Sequence, residues 1–226
     1  KRPSLTGIHL EIYSDTVRAS ACDAFRMAVT EIKCNCGGKM SVTVPKQSFF
    51  YLANAVEDKD LLEFGLNANT LVFIKSDMLF STRIISEPFM NIDRLLNMPD
   101  KMLVAKIKAN DMKTMAETVS MITNVSEDTA PVLLKFKNNN LQLSIESTEA
   151  ESTLNVPIES VNMISGEFYY NAKYFSDMLK VIRGDVDVYM TKRGILYASN
   201  PVSEYMLTNS KKRSVKRKSK KTKKAA

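Results

Sequence analysis

The sequence of 226 residues contains no tryptophan, a single histidine and only seven glycines. Catalysis by a Ser/His/Asp or Cys/His arrangement would have to use His9, the one histidine. The alternation of residues 8–12 predicts that His9 faces solvent on a strand, opposite the apolar side chains. The seven glycines form no phosphate-binding loop. The sequence therefore gives little support for an enzyme.

The three cysteines are an odd set, which excludes a complete disulfide framework and favours a reducing compartment. Cys34 and Cys36 could supply half of a metal site. Zinc usually takes four ligands, however, and only His9 and Cys22 remain as further soft ligands. A hairpin turn is the favoured interpretation of residues 34–38, so no metal is predicted.

No apolar run approaches the ~18 residues of a membrane-spanning helix, which argues against a transmembrane protein. The net charge of +7 is unevenly distributed, because residues 211–226 hold ten of the 32 basic residues and no acid. The preceding part carries 22 basic against 25 acidic residues. The basic character therefore belongs to residues 211–226, and the preceding part of the chain is mildly acidic. Blocks of like charge with Ser and Thr are usually disordered, so we expect these residues to form a tail.

Strand signals dominate the chain, and three segments have helical periodicity. Apolar spacing predicts helices over residues 46–56, 111–124 and 172–183, with a methionine-rich core stripe on the second. Alternation and turn residues predict strands over residues 8–12, 17–21, 26–33, 40–44, 62–66, 70–75, 78–85, 132–136, 141–145, 153–156, 167–170, 186–191, 195–199 and 204–207.

Two blocks of the sequence repeat each other. The predicted hairpin over residues 8–21 recurs over residues 132–145, and the helix that follows Val44-Pro45 recurs after Tyr170-Asn171. A repeat of this length indicates duplicated domains. The second block begins with the helix over residues 111–124, for which the first block has no counterpart. The repeat therefore predicts that the chain begins inside a domain.

Five short motifs, in order, resemble the bacterial sliding clamp, the beta subunit of DNA polymerase III. They lie at residues 2–11 (RPSLTGIHLE), 21–28 (ACDAFRMA), 44–46 (VPK), 89–96 (FMNIDRLL) and 171–179 (NAKYFSDML). The resemblance implies an α+β DNA-clamp fold of duplicated domains, with helices on the inner face and antiparallel sheets outside. Residues 1–98 would be clamp domain two without its first helix, residues 102–208 domain three, and residues 209–226 a disordered basic tail.

In that family, two chains close head to tail into a ring around duplex DNA and hold the replicative polymerase on it. The resemblance therefore implies a cytoplasmic, non-enzymatic processivity factor with no cofactor and no metal, which forms a homodimer ring when the chain is full length. Sliding requires sequence-independent attraction to phosphates. The cations expected to face DNA are Lys46, Lys113, Lys173, Lys180 and Arg183.

The resemblance also implies an apolar pocket between domains two and three, which captures short peptides of polymerases, the clamp loader and repair proteins. Three features depart from the family pattern: Met90 replaces proline, Phe25 replaces a common histidine, and residues 207–211 replace the usual ending. By motif position the pocket comprises Arg2, Leu5, Cys22, Ala24, Phe25, Arg26, Met27, Met90, Arg94, Leu95, Asn171, Tyr174, Met206 and Leu207.

Core packing remains an equal interpretation for each pocket residue, and a solvated helix face for each of the five cations. An alternative function is a clamp-like scaffold that binds replication or repair partners without closing a ring on DNA. An enzyme is the third hypothesis, and it has the least support from the sequence.

Overall fold

The computed structural model describes residues 2–13, 15–124 and 130–212. The chain divides into two compact units, Lys1–Asn97 (unit 1) and Met98–Ala226 (unit 2). The assignment of these units to clamp domains two and three stays a prediction. Most of the predicted basic tail, from residue 213 onward, lies outside the described residues.

Unit 1 contains two antiparallel sheets and a central helix. The first sheet has the order β3-β2-β1-β4 and the second β5-β6-β7. Pro45, which fixes its own φ, immediately precedes the central helix. The elements are β1 (Gly7–Tyr13), β2 (Thr16–Cys22), β3 (Arg26–Lys33), β4 (Met40–Pro45), α1 (Lys46–Ala55), β5 (Glu63–Asn67), β6 (Thr70–Lys75), β7 (Met78–Arg83) and the short helix α2 (Asp93–Leu96).

Unit 2 has the same kind of architecture with two additional elements at its start. Its sheets have the orders β11-β10-β9-β13 and β12-β8-β14-β15-β16. The elements are β8 (Met102–Ile107), α3 (Ala109–Thr123), β9 (Val132–Lys137), β10 (Asn140–Glu146), β11 (Glu151–Pro157), β12 (Glu159–Ser160), β13 (Phe168–Tyr170), α4 (Ala172–Val181), β14 (Val186–Met190), β15 (Leu196–Ser199) and β16 (Ser203–Leu207).

The helices of unit 2 pack through the stripe that the sequence predicts. Met112, Met115, Val119 and Ile122 of α3 are all buried, and α3 packs against α4. Asn171 caps α4, because its side-chain oxygen accepts a hydrogen bond from the backbone N–H of Tyr174 at 3.0 Å. The helical periodicity of residues 111–124 is therefore confirmed as a core stripe.

The strand orders confirm the internal duplication. The order β3-β2-β1-β4 of unit 1 recurs as β11-β10-β9-β13 in unit 2, and the central helix follows the last of these strands in both units. Three strands then follow the helix, β5-β6-β7 in one unit and β14-β15-β16 in the other. The predicted α+β class with antiparallel pairing is confirmed. The expected placement of the helices on an inner face and of the sheets outside stays a prediction.

The sequence did not predict four elements: the 3-10 helix Pro3–Thr6, α2, β8 and β12. Residues 86–101 carry no helical or strand periodicity in the sequence, and α2 is a single short turn among them. The strand β8 is a run of six residues, MLVAKI, with Val104, Ala105 and Ile107 buried. Its alternation is interrupted, because the pairing register with β14 shifts between Val188 and Tyr189 and the adjacent Val104 and Ala105 are both buried.

The solvent-facing position predicted for His9 is wrong. Its ring is buried and stacks on Phe89, with centroids 4.6 Å apart and planes 9° apart. Alternation correctly placed His9 opposite Leu10, but the segment that follows β7 covers this face of the sheet. Burial lowers the pKa of His9 below its usual value, because the charged ring loses hydration.

The reduced state expected for the cysteines is also wrong for one pair, because Cys34 and Cys36 form a disulfide in the turn between β3 and β4. Cys22 is a buried free thiol. Among the described residues, no group of three or more His, Cys, Asp and Glu side chains could hold a metal ion. In the same part of the chain, no helix is long and apolar enough to cross a bilayer.

Candidate DNA-facing and partner-binding surfaces

The turn between β2 and β3 is built by Asp23. Its Oδ1 accepts hydrogen bonds from the backbone N–H groups of Phe25 at 2.8 Å and Arg26 at 2.9 Å. Its Oδ2 accepts a bond from Arg26 Nε at 3.2 Å. These bonds fix the turn and leave Phe25 55% exposed at its tip. An exposed aromatic ring on a constrained turn is suited to partner contact.

Cys22 and Met90 are brought together as the pocket hypothesis requires. The Sγ of Cys22 lies 3.2 Å from the Sδ of Met90. Burial raises the pKa of the Cys22 thiol to about 11, with a smaller contribution from the Asp23 carboxylate. The thiol is therefore neutral at physiological pH and acts as a small apolar group. Met27 is buried beside this turn and contributes packing.

Residues 84–96, which carry Met90, Arg94 and Leu95, are attached to the first sheet at several points. The His9–Phe89 stack is one of them. At the second, the backbone N–H of Ser4 donates to the Glu87 carboxylate at 3.0 Å. The latter bond ties the turn Pro3–Thr6, which contains the candidate Leu5, to the same segment.

The third attachment is an ion-pair cluster centred on Arg18. Its guanidinium donates to Glu11 Oε2 from Nε at 2.8 Å and to Asp93 Oδ1 from Nη1 at 2.8 Å. Its Nη2 also donates to the hydroxyl of Tyr13 at 2.8 Å. Burial alone would lower the pKa of Arg18, but the bonds to Asp93 and Glu11 outweigh it and raise that pKa. Asp93 opens α2, so the cluster fixes the helix that presents Arg94 and Leu95.

The Arg18 cluster was missed by the sequence reasoning. A signal was present, because Glu11 and Arg18 are direct partners in the register of the β1–β2 hairpin. Opposite charges at paired strand positions predict a contact. The participation of Asp93 depends on a segment 75 residues away along the chain, which local patterns do not reveal.

The candidate pocket residues of unit 2 are mostly structural within that unit. Met206 and Leu207 lie in β16 and are buried, paired with Tyr197 and Leu196 of β15. Asn171 is the cap of α4. Tyr174 is partly buried against the unit's core. The structure thus gives Met206, Leu207 and Tyr174 a packing role and Asn171 a capping role, while contact with a partner stays a prediction.

All five cations expected to face DNA are exposed on or next to helices. Lys173 and Lys180 are seven residues apart on α4, and therefore share one face of that helix. Arg183 donates to the carbonyl oxygens of Lys180 at 2.6 Å and of Ile182 at 3.1 Å, so it also caps the helix end. Lys113 of α3 lies 3.9 Å from Glu117, and Lys46 begins α1.

Comparison with known proteins shows what this chain is similar to. The model of the central domain of the DNA polymerase III beta subunit matches residues 1–91. The beta sliding clamp of Bacillus subtilis is 26% identical over 203 residues, which cover 81% of this chain and 49% of that protein. The chain is thus similar to bacterial beta sliding clamps over about four-fifths of its length. The clamp of a Synechocystis strain is 23% identical over 197 residues, covering 79% of this chain and 49% of that protein.

Solved sliding-clamp structures share the fold. The sliding clamp of Bacillus subtilis superposes with a TM-score of 0.82 at 17% identity, covering 94% of this chain and 58% of that one. The DNA polymerase III beta subunit of Pseudomonas aeruginosa superposes with a TM-score of 0.79 at 20% identity, covering 93% of this chain and 59% of that one. The resemblance seen in the motifs is thereby confirmed. The chain spans about half the length of the curated clamps that it matches.

Proposed function

We propose that this chain acts as a sliding clamp, which tethers the replicative DNA polymerase to duplex DNA for processive synthesis. The observation that carries the proposal is the clamp fold over more than nine-tenths of the chain, together with the central-domain match over residues 1–91. The proposal extends to a non-enzymatic role, a homodimer ring in the full-length protein and a cytoplasmic location. No cofactor is required for this role.

The charge distribution supports contact with duplex DNA. Lys173 and Lys180 share a face of α4, and their amino groups make no ion pair with an acid among the described residues. Long exposed cations on a mildly acidic body attract phosphates without fixing a register, which is what sliding requires. The contact would be independent of sequence, because no base edge is read.

The turn that presents Phe25 supports a second role, the docking of short peptides of polymerases, the clamp loader and repair proteins. Phe25 is exposed, whereas Cys22, Met27 and Met90 supply a neutral apolar base beside it. Arg26 lies on the same turn as Phe25 and adds a cation there. An apolar floor with few polar anchors is typical of peptide-binding sites.

The ring function is tested by retention on DNA. The full-length protein is incubated with circular duplex DNA and washed in high salt, and bound protein is separated from free protein before and after the DNA is cut once. A topological clamp stays on the circle and is lost from the linear form. Equal loss from both forms contradicts the ring and favours the alternative, an interaction scaffold that uses the Phe25 surface without encircling DNA.

The DNA-facing assignment is tested by reversing two charges. Lys173→Glu with Lys180→Glu should lower affinity for duplex DNA and reduce the slope of log affinity against log salt by about 2, since each phosphate contact contributes about 0.9. Lys33→Glu with Lys39→Glu, two exposed lysines outside the helices, is the matched control. Equal losses in both double variants would show that only net charge matters.

A further inference from the structure

The disulfide Cys34–Cys36 joins no two elements of unit 1. Both cysteines belong to residues 34–39, the connection between β3 and β4. These strands are not neighbours, because β2 and β1 lie between them in the sheet. A disulfide stabilises a fold least when the loop that it closes is short, and here only Asn35 separates the two cysteines. Stabilisation of the fold is therefore a weak explanation for this bond.

The connection is attached to the sheet at its beginning without help from the disulfide. The backbone N–H of Cys34 donates to the carbonyl oxygen of Asp15 at 2.9 Å. Lys33, the last residue of β3, donates from Nζ to the Asp15 carboxylate at 2.9 Å and to the Thr16 hydroxyl at 3.1 Å. These contacts do not depend on the S–S bond, which can therefore open without releasing Cys34.

Cys36 lies at a cavity that a small molecule can enter. The cavity has a volume of about 450 Å³ and lies between the connection and residues 62–64, where β5 begins. Its lining includes Cys36 but not Cys34. Gly37 and Gly38 leave the approach open, because no described part of the chain beyond their neighbours lies within 4 Å of the position that a Cβ would take at either. The apolar side chains of the cavity wall are those of Ile12, Met40, Leu62 and Phe64.

We propose that Cys34 and Cys36 are a redox-active pair, which exchanges reversibly with a low-molecular-weight thiol that reaches Cys36 through this cavity. The volume falls within the range of about 300–1,000 Å³ that is typical of small-molecule sites. The inference takes only the cytoplasmic location from the proposed function. Disulfides in that compartment are usually transient, and they are catalytic or redox-sensing where they occur.

The exchange proceeds in two steps. The thiolate of the small molecule attacks Sγ of Cys36, so a mixed disulfide forms at Cys36, and Cys34 leaves as a thiolate with the electron pair of the broken S–S bond. A second thiolate then attacks the small-molecule sulfur of the mixed disulfide and releases Cys36 as a thiolate. The two cysteine thiolates take up the protons that the two thiols lost. The protein disulfide is thus reduced by two electrons, and two thiols are oxidised to one disulfide.

The test measures this equilibrium on the folded chain. The protein is incubated without denaturant in glutathione buffers, and free thiols are then blocked with iodoacetamide and located by mass spectrometry. We expect Cys34 and Cys36 to change together from about 90% disulfide to about 90% dithiol over a roughly hundredfold rise in the squared concentration of reduced glutathione divided by that of oxidised glutathione, as a two-electron exchange requires. The reduced protein should give the same curve. Cys22 is buried, and its lack of modification reports that the chain stays folded.

Two pairs of variants test the route through the cavity. In Cys34→Ser, oxidised glutathione should form a mixed disulfide with Cys36 about fivefold faster than it does with Cys34 in Cys36→Ser, because only Cys36 lines the cavity. Leu62→Glu places a carboxylate in the cavity and should slow reduction by glutathione, an anion, by about fivefold. Leu61→Glu, the same change at a 91% exposed position outside the cavity, should not.

Three kinds of result overturn the proposal. A pair that stays oxidised in excess reduced glutathione until urea unfolds the chain is a structural disulfide. A pair that stays reduced in excess oxidised glutathione, or that collects mixed disulfides at both cysteines, does not exchange as a pair. Equal rates for the two single-cysteine variants, or for Leu62→Glu and Leu61→Glu, remove the route through the cavity. None of these measurements involves DNA, so their failure is independent of the proposed clamp function.

Discussion

Replacing Arg18 by methionine is the sharpest test of how unit 1 holds its candidate partner surface. The Arg18 side chain is only 10% exposed, and it bonds to Glu11, Asp93 and Tyr13. Methionine keeps most of the volume and removes the charge. The change therefore removes the bond to Asp93, which attaches α2 to the sheet, without opening a large cavity.

The expected cost can be worked out bond by bond. Breaking a fully buried ion pair from one side costs about 3–5 kcal/mol. The Glu11 carboxylate is 20% exposed and can be partly rehydrated, so we expect about 2 kcal/mol from this pair. Asp93 is 54% exposed, and its pair is worth about 0.5 kcal/mol after solvent screening. Arg18→Met should thus destabilise unit 1 by about 2–3 kcal/mol.

The assay is urea unfolding followed by far-ultraviolet circular dichroism, because the chain has no tryptophan. With slopes of about 1–3 kcal/mol per molar, the midpoint should fall by about 1–2 M. Lys108→Met, which removes a pair with Asp185 at 2.8 Å whose side chains are mostly exposed, is the control and should shift the midpoint little.

A second measurement separates the two bonds. Glu11→Gln in the Arg18→Met background removes the stranded carboxylate and should recover part of the stability, as a double-mutant cycle. Asp93→Asn alone should cost little stability but speed amide exchange in residues 93–96. Equal midpoints for Arg18→Met and Lys108→Met would refute the reasoning, because the cluster would then contribute no more than a surface pair.

Three further predictions concern single residues. Because burial lowers the pKa of His9, its ring takes up a proton at a higher pH in the unfolded chain than in the folded one. Unit 1 should therefore lose stability as pH falls below about 6.5. The urea midpoint of His9→Gln should depend less on pH between about 7.5 and 5.5 than that of the unchanged protein, and an equal dependence would contradict this. Tyr170→Phe leaves the buried carbonyl of Gly194 without the 2.9 Å hydrogen bond that the Tyr170 hydroxyl donates. Thermal unfolding should show a free energy of unfolding lower by about 1–2 kcal/mol. Tyr169→Phe removes an exposed hydroxyl and should lower it by less. Asp23→Ala removes the bonds that form the Phe25 turn and should lower the free energy of unfolding by about 1 kcal/mol. In a titration with a clamp-binding peptide, it should lose about as much affinity as Phe25→Ala does. Normal peptide affinity of Asp23→Ala would show that docking does not depend on this turn.

The sequence predicted the elements well where its periodicity was clean. Residues 26–33 were predicted as a strand and form β3 over the same span. The stripe of α3 is buried as its spacing indicates. The strands β8 and β12 were missed, because a register shift interrupts the alternation of β8 and a two-residue strand has none to show.

The candidate site was predicted only in part. The motifs directed attention to Cys22 and Met90, which do meet. They did not reveal that Asp23 builds the turn or that Asp93 fixes α2, since those roles depend on hydrogen-bond geometry. Nor could they show that Met206 and Leu207 are buried in β16.

The sequence by itself determined the mixture of strands and helices, the duplication and the concentration of basic residues in residues 211–226, because periodicity, repetition and charge are local or additive properties. Only the tertiary structure decided which surfaces are covered. His9 is buried because a segment about eighty residues later lies over its face of the sheet. Covering a face requires contacts between distant segments, and no local pattern encodes them.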